Sequence, residues 1–180
     1  METNPGPSYT PPPAGAPPAG GYAPSMTASG YAKADLVKRF VASLIDGIIG
    51  GVLYAIVAMA HAGIGWLLYA AYVLIRDGLA LDFMDGRSIG KKVMKLRPVR
   101  LDGGTMDIAT SVKRNWPLAL GSIVSGLLWL GGWSLYLQLS WLAMAASLLG
   151  LVEAILVLVD KDGRRIGDKM ANTQVIDSEA

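Results

Sequence analysis

The sequence predicts an all-α integral membrane protein: four transmembrane helices as two tandem two-helix units, with basic amphipathic cytoplasmic segments. Three observations predict it. Of the 180 residues 52% are hydrophobic and only 17% charged, the mean hydropathy is +0.40, and the apolar residues are gathered into long runs. That pattern suits a bilayer core better than a water-facing surface. The sixteen lysines and arginines fall into three groups separated by paired apolar runs. Finally, the octet Asp85-Gly-Arg-Ser-Ile-Gly-Lys-Lys92 recurs at an offset of 77 as Asp162-Gly-Arg-Arg-Ile-Gly-Asp-Lys169, with six of eight positions identical.

Residues 1–31 hold eight of the ten prolines and no lysine or arginine. Nothing in this segment can bury a core, and its Pro-Pro-Pro and Pro-Pro steps favour extended polyproline II. It lacks the basic start and following apolar stretch of a secretory signal. The expectation is a disordered cytoplasmic tail. A sharper alternative is a docking segment for a proline-reading cytoplasmic partner, anchored by Tyr9, Tyr22 and Tyr31.

The membrane domain then covers residues 32–180. Span one runs over about 36–60 and opens with Asp35, Lys38 and Arg39. His61-Ala-Gly-Ile-Gly65 reads as a tight outer turn, followed by span two over about 65–83. Its uncharged core is short for about 30 Å of hydrocarbon, so tilt or local thinning is expected. From Trp116 to Val159 Glu153 is the one ionisable acid or base, and the run suits two helices, about 117–136 and 139–159. Their turn is placed near Gly131-Gly-Trp-Ser134 or around Gln138. Trp66, Trp129, Trp133 and Trp141 cluster near the outer turns and Trp116 near the other interface, as in an aromatic belt. With four spans, the groups Lys33–Arg39, Arg76–Arg114 and Lys161–Lys169 all land on one side. Positive charge marks that side as cytoplasmic, so segments 84–116 and 160–180 and both termini lie inside. The recurring octet follows each pair of spans, which points to duplication of a two-span unit related by a pseudo-twofold axis along the membrane normal.

Arg39 and Asp46 stand seven residues apart in span one, close to two turns, on nearly one face and roughly 10 Å apart along the axis. A carboxylate facing lipid is expensive, so Asp46 should face protein, water or a cation. Glu153, six residues before the inner end of span four, lies at similar depth. Two readings stand: a pair of carboxyls that shares a proton or a cation, or structural carboxylates neutralised by arginine. Asp168 replaces Lys91 in the recurring octet. That swap predicts two motif segments side by side beneath the bundle, with Asp168 meeting Lys91, Lys92 or Arg39. Arg39 has the alternative of snorkelling to headgroups. Arg114 is a further cation near the entry of span three. Arg87, Lys91, Lys92 and Lys95 alternate with Ile89, Val93, Met94 and Leu96, as in an interfacial helix that offers its cations to anionic lipid headgroups; Pro98 ends that helix or begins an extended stretch.

Several functions are excluded or disfavoured. With no cysteine and one histidine, disulfides, thiolate sites and multi-histidine metal sites cannot form within one chain. Gly86–Lys92 has three residues between its glycines where a phosphate loop has four, and Lys92 where Ser or Thr would meet magnesium, so nucleotide binding is not expected. No paired nucleophile and base appears, so the expectation is no enzyme and no cofactor. Nucleic acid is not an expected partner. The bilayer is, and a homo-oligomer is compatible with so few short spans.

Arg39-x-x-Ala42-x-x-x-Asp46 resembles the opening signature of the RDD family of bacterial membrane proteins, named for one arginine and two aspartates. Gly86–Lys92 with Leu96-Arg-Pro-Val99, Arg114-Asn115, and Arg165-Ile-Gly-Asp-Lys-Met-Ala-Asn-Thr173 resemble its later segments. The resemblance covers about residues 35–176. It implies that Arg39, Asp46 and Asp168 are the name-giving residues, that the protein is multi-pass in a bacterial inner membrane, and that it moves a ligand or ion. The functional expectation is therefore a small transporter or cation/proton exchanger that uses intramembrane carboxylates. The alternative is a non-transporting scaffold or accessory subunit.

Overall fold

The computed structural model describes residues 30–79, 81 and 83–178. The proline-rich segment, including Tyr9 and Tyr22, lies outside the described residues. Helix α1 spans Leu36–Ala58 and is capped by Asp35, whose carboxylate accepts from the Lys38 N–H at 2.8 Å. Its buried positions, Arg39, Ala42, Asp46 and Gly50, recur at spacings of three and four and form a narrow stripe. Val37, Phe40, Leu44, Ile48, Val52 and Ile56 are exposed on the remaining faces. This polarity is the reverse of a soluble helix: polar and small residues face protein, and large apolar ones face outward.

Helix α2 (Ala62–Ile75) starts at His61, whose Nδ1 accepts from the Gly63 N–H at 3.1 Å. It ends at Ile75, short of the expected Phe83, because Arg76 and Asp77 turn into buried ionic contacts rather than prolonging an apolar face. Residues Ile89–Val93 form the one-turn helix α3, and Leu96–Arg100 the strand β1. Helix α4 (Ile108–Leu130) starts in the charged segment, so Lys113 and Arg114 lie on its early turns, and Pro117 sits inside it. The turn Gly131-Gly132 leads to α5, Trp133–Val159. Helix α6 (Ile166–Met170) and strand β2 (Thr173–Asp177) complete the chain.

α1 and α5 are long and apolar enough to cross a membrane, and α2 is apolar but has 14 residues. α1 packs on α2, α2 on α4, and α4 on α5, which leaves α1 and α5 at the two ends of the row. Small residues line the inner contacts: Ala70 and Ala119 are buried with Val73 between α2 and α4. Without a hydrophobic driving force between helices in lipid, such close backbone approach supplies the packing.

One end of the bundle is closed by a cap. α3 lies on α1, α6 lies on α4, and β1 pairs with β2 antiparallel. The pairing is centred on Pro98↔Val175 and runs from Leu96↔Asp177 to Arg100↔Thr173. The interfacial helix expected from Arg87 onward is only the single turn Ile89–Val93, and the extended stretch expected as one alternative at Pro98 starts earlier, at Leu96. Lys95 takes a positive φ of 56°, which ends the helical turn after Met94 and starts the strand. Asn172 does the same, at 51°, between α6 and β2. The ribbon makes the fold mostly helical rather than wholly so.

Candidate functional site

The cap is joined to the bundle by two glycines. Gly90 of α3 sits so close to α1 that a Cβ there would lie 2.0 Å from the Ala42 carbonyl oxygen. The approach carries the Gly90 N–H to Asp46 Oδ1 at 2.8 Å and the Ser88 hydroxyl to Asp46 Oδ2 at 2.6 Å. Arg76 Nη1 stands 3.5 Å from the same Oδ2, and the Tyr72 hydroxyl donates to Oδ1 at 3.5 Å. Gly167 of α6 repeats the contact on α4, where a Cβ would lie 1.9 Å from the Arg114 carbonyl oxygen. Its N–H donates to Glu153 Oε1 at 3.1 Å, and Arg165 Nε stands 3.6 Å from Glu153 Oε2.

Between these two docking points lies a chain of ions. Asp77 Oδ1 takes the Lys91 ammonium at 2.7 Å, and Asp77 Oδ2 takes the Asn115 amide at 3.1 Å and faces Arg114 Nη1 at 3.7 Å. Arg114 Nη2 reaches Asp168 Oδ1 at 2.7 Å, so one guanidinium bridges two carboxylates from opposite halves of the cap. Asp168 Oδ2 also holds Arg165 Nε at 3.3 Å and faces Arg39 Nη2 at 3.6 Å, while Arg39 Nη1 donates to the Gly163 carbonyl at 2.5 Å. Asn115 Oδ1 accepts from Arg165 Nη2 at 3.2 Å, so Asn115, which also donates to Asp77, ties the same halves together. Asp46, Asp77, Arg114, Glu153 and Asp168 are all at most 1% exposed. Removal from water at this level is tolerable only with such mutual compensation.

Electrostatics outside the spans follow from that geometry. Burial alone pushes Asp77 up, but Lys91, Arg114 and Arg76 outweigh it and hold the carboxyl well below the usual range. Asp168 is likewise raised by burial and lowered further by Arg165, Arg114 and Arg39, with a strongly depressed result. Burial pushes the Lys91 ammonium down to about 8, against the opposing pull of Asp77.

Arg39, Asp46, Glu153 and Asp168, singled out by sequence, all lie in this network, and Asp168 meets Arg39 as expected. Asp46 and Glu153 share no partner among the described residues: Arg76 attends the first and Arg165 the second. The basic segment does not form one lipid-facing row. Lys91 turns inward to Asp77, because the docking of Gly90 leaves only a five-residue helix and aims its next side chain at the network. Lys92 bonds the Phe83 carbonyl, Arg87 faces Asp85 at 3.6 Å, and the Lys95 carbonyl accepts from the Ser178 hydroxyl at 2.7 Å. Arg165, beside Asp168 in the recurring octet, joins Asp168 as its place in that basic segment suggests, whereas Arg76, Asp77 and Asn115 do not stand out from the sequence as site residues. The available signal was placement: Arg76-Asp77 ends one apolar run, and Arg114-Asn115 begins the next.

Above the network is a cavity of about 570 Å³. Its floor holds Arg39, Asp46, Arg76, Lys91, Arg114 and Arg165, and its walls are apolar side chains of α1, α2, α4 and α5.

The RDD family model matches residues 33–172, most of the chain and all of the network. The chain belongs to the RDD family. RDD proteins are membrane proteins, which agrees with two helices long and apolar enough to cross a bilayer and with large side chains turned outward on α1. No curated protein and no solved structure matches the chain. In this RDD protein the arginine and aspartates that the resemblance names take part in one ion network but in different halves of it: Arg39 with Asp168, and Asp46 with Arg76.

Proposed function

We propose that this RDD protein is a small multi-pass transporter whose substrate chamber is the cavity between α1 and α5 and whose inner gate is the ion network. In this reading α1, α2, α4 and α5 all cross the membrane, the cap faces the cytoplasm, and both termini lie there, in accord with the grouping of basic residues. Two tandem units, α1–α2–α3–β1 and α4–α5–α6–β2, are supported by element order. They are supported too by a ribbon centred on Pro98 and Val175, which occupy equivalent positions at the 77-residue offset.

The observation that carries the proposal is a ligand-sized cavity with a charged floor, sealed beneath by contacts that join the two halves. A cation or proton carrier needs a carboxylate with free acceptor capacity. Asp46 instead receives a hydroxyl, a backbone N–H and a guanidinium, which supports a clamping role. Asp46 and Glu153 therefore hold α3 and α6 to the bundle, and Arg114 links Asp77 to Asp168 across the gate. Opening to the cytoplasm separates those pairs.

The test is a flux screen in proteoliposomes, with radiolabelled anions, cations and amphiphiles under imposed ion gradients. Transport predicts uptake or release of at least one class by wild type and altered gating in Arg114→Gln. No flux for any class would favour the scaffold alternative, in which the cap recruits partners or lipid.

A further inference from the structure

The cavity floor is electrostatically one-sided. Among the described residues five cations line it, Arg39, Arg76, Lys91, Arg114 and Arg165, against one carboxylate, Asp46. Asp77, Glu153 and Asp168 are not among the lining residues and compensate the cations from the far side. The one carboxylate that does line the cavity is already engaged by Ser88, Gly90 and Arg76. Several guanidinium donors are left over. Among the described residues, Arg114 Nε and Nη1 and Arg76 Nε have no hydrogen-bond partner, Nη1 having only the more distant Asp77 carboxylate, and the two side chains are 0% and 8% exposed. Buried donors without partners are costly, and an anion in the cavity would satisfy them.

The walls add a second requirement. Phe40 of α1 and Leu151, Ile155 and Leu158 of α5 line the cavity and are 49–69% exposed. The mouth is therefore lateral, between the two helices at the ends of the row, and it opens toward lipid. A small hydrated anion matches the floor and not these walls.

We propose that the chamber binds an amphiphile with a phosphate headgroup, the phosphate seated on Arg76 and Arg114 and the acyl chain leaving between α1 and α5. The proposal deepens the transport reading and rests on the same cavity. Guanidinium N–H groups form charge-assisted hydrogen bonds with phosphate, and the Nε groups of Arg76 and Arg114, which hold no carboxylate, are the donors on offer. The volume of about 570 Å³ accommodates a head and the start of a chain, with the remainder of the chain in the bilayer.

Native mass spectrometry of the full-length protein in mild detergent tests this with three probes: a lysophosphatidic acid, the matching lysophosphatidylcholine and inorganic phosphate. The expected result is at least tenfold tighter binding of lysophosphatidic acid than of the choline lipid, with no binding of inorganic phosphate in the same range. Arg76→Gln should reduce that discrimination about tenfold, the loss of one charge-assisted contact. Ile155→Trp, a change at a lipid-exposed mouth position that spares the network, should block the amphiphile while the protein still elutes as a folded species. Equal binding of the two lipids would overturn the proposal. So would phosphate binding as tightly as the amphiphile, or indifference of lysophosphatidic acid binding to both variants. Selective amphiphile binding without flux in proteoliposomes would retain this inference and remove the transport reading; flux of another substrate with no selective binding would do the reverse.

Discussion

The two halves of the cap solve one packing problem with different carboxylates. In both, a glycine of a one-turn helix rests on a carbonyl of a long helix and gives its N–H to an acid. In the first half the acid, Asp46, belongs to α1, the same helix that offers the carbonyl of Ala42. In the second half the carbonyl belongs to α4 and the acid, Glu153, comes from its neighbour α5. The first arrangement leaves the acid fully occupied by Ser88, Gly90 and Arg76. The second leaves Glu153 Oε2 with a charge nearby and no hydrogen bond among the described residues. What recurs is thus the glycine contact and the need for an acceptor above it, while the helix that supplies the acceptor is free to change. The position on α4 that would repeat Asp46 is then released from duty, and Arg114 and Asn115 of that helix join the halves instead.

The largest effect should come from the bridge itself. Arg114→Leu leaves Asp77 and Asp168 short of a buried partner, and breaking such a pair costs about 3–5 kcal/mol. Thermal unfolding in detergent should show a greater loss than for Arg76→Leu, whose guanidinium serves only Asp46 among the described ion pairs. Equal losses would mean that the halves are not joined through Arg114. Next, Gly90→Ala and Gly167→Ala each drive a methyl into backbone that cannot move aside as a side chain does. About 3 kcal/mol is expected for both; a mild effect at one site alone would break the equivalence of the two dockings.

The carboxylates should then separate the halves. In Asp46→Asn one of two strong acceptors becomes a donor facing the Ser88 hydroxyl or the Gly90 N–H, at a cost of about 2 kcal/mol. Glu153→Gln keeps the acceptor for Gly167 and alters only the oxygen without a hydrogen bond, so about 1 kcal/mol or less is expected. The reverse order would contradict the assigned contacts. The smallest effect is the pH limb. Asp77 and Asp168 have folded carboxyls below the ordinary value, so their contribution is complete above about pH 4 and is lost as the pH falls through and below it. An unfolding midpoint that declines in acid for wild type should decline less for Asp168→Asn, from a lower starting stability. An unchanged acid limb would show that Asp168 is not held as an anion.

Part of this site is legible in the residues alone. An acid inside an apolar run has few affordable fates, which is why Asp46 and Glu153 stand out without any coordinates. Of the three partners expected for Asp168, Arg39 does face it, but the replacement of Lys91 by Asp168 in the recurring octet does not mark a pair, since Lys91 goes to Asp77. The exact pairing is not legible. Lys91 reads as a lipid-facing cation because its neighbours alternate, yet the contact of Gly90 with Ala42, more than forty residues away in sequence, turns it inward. Arg76 and Asp77 follow the apolar run of span two, where nothing local shows that they are buried; Ser88, Lys91 and Arg114 close over Asp77 from elsewhere in the chain.

The sequence by itself determined the membrane class and the family, because blocked hydrophobicity and short motifs are local properties that no packing can reverse. It also placed the start of α1 close to Asp35, but not that of α4, which begins after Asp107 rather than at 117; at both starts a carboxylate meets a backbone N–H three residues on. Tertiary structure decided the rest: the ribbon between two segments 77 residues apart, the partner of each buried ion, and a cavity with cations on its floor and lipid-facing walls. Those depend on which backbones approach closely enough to exclude a Cβ, and at Gly90 and Gly167 that approach is made to another helix rather than written in the local chain.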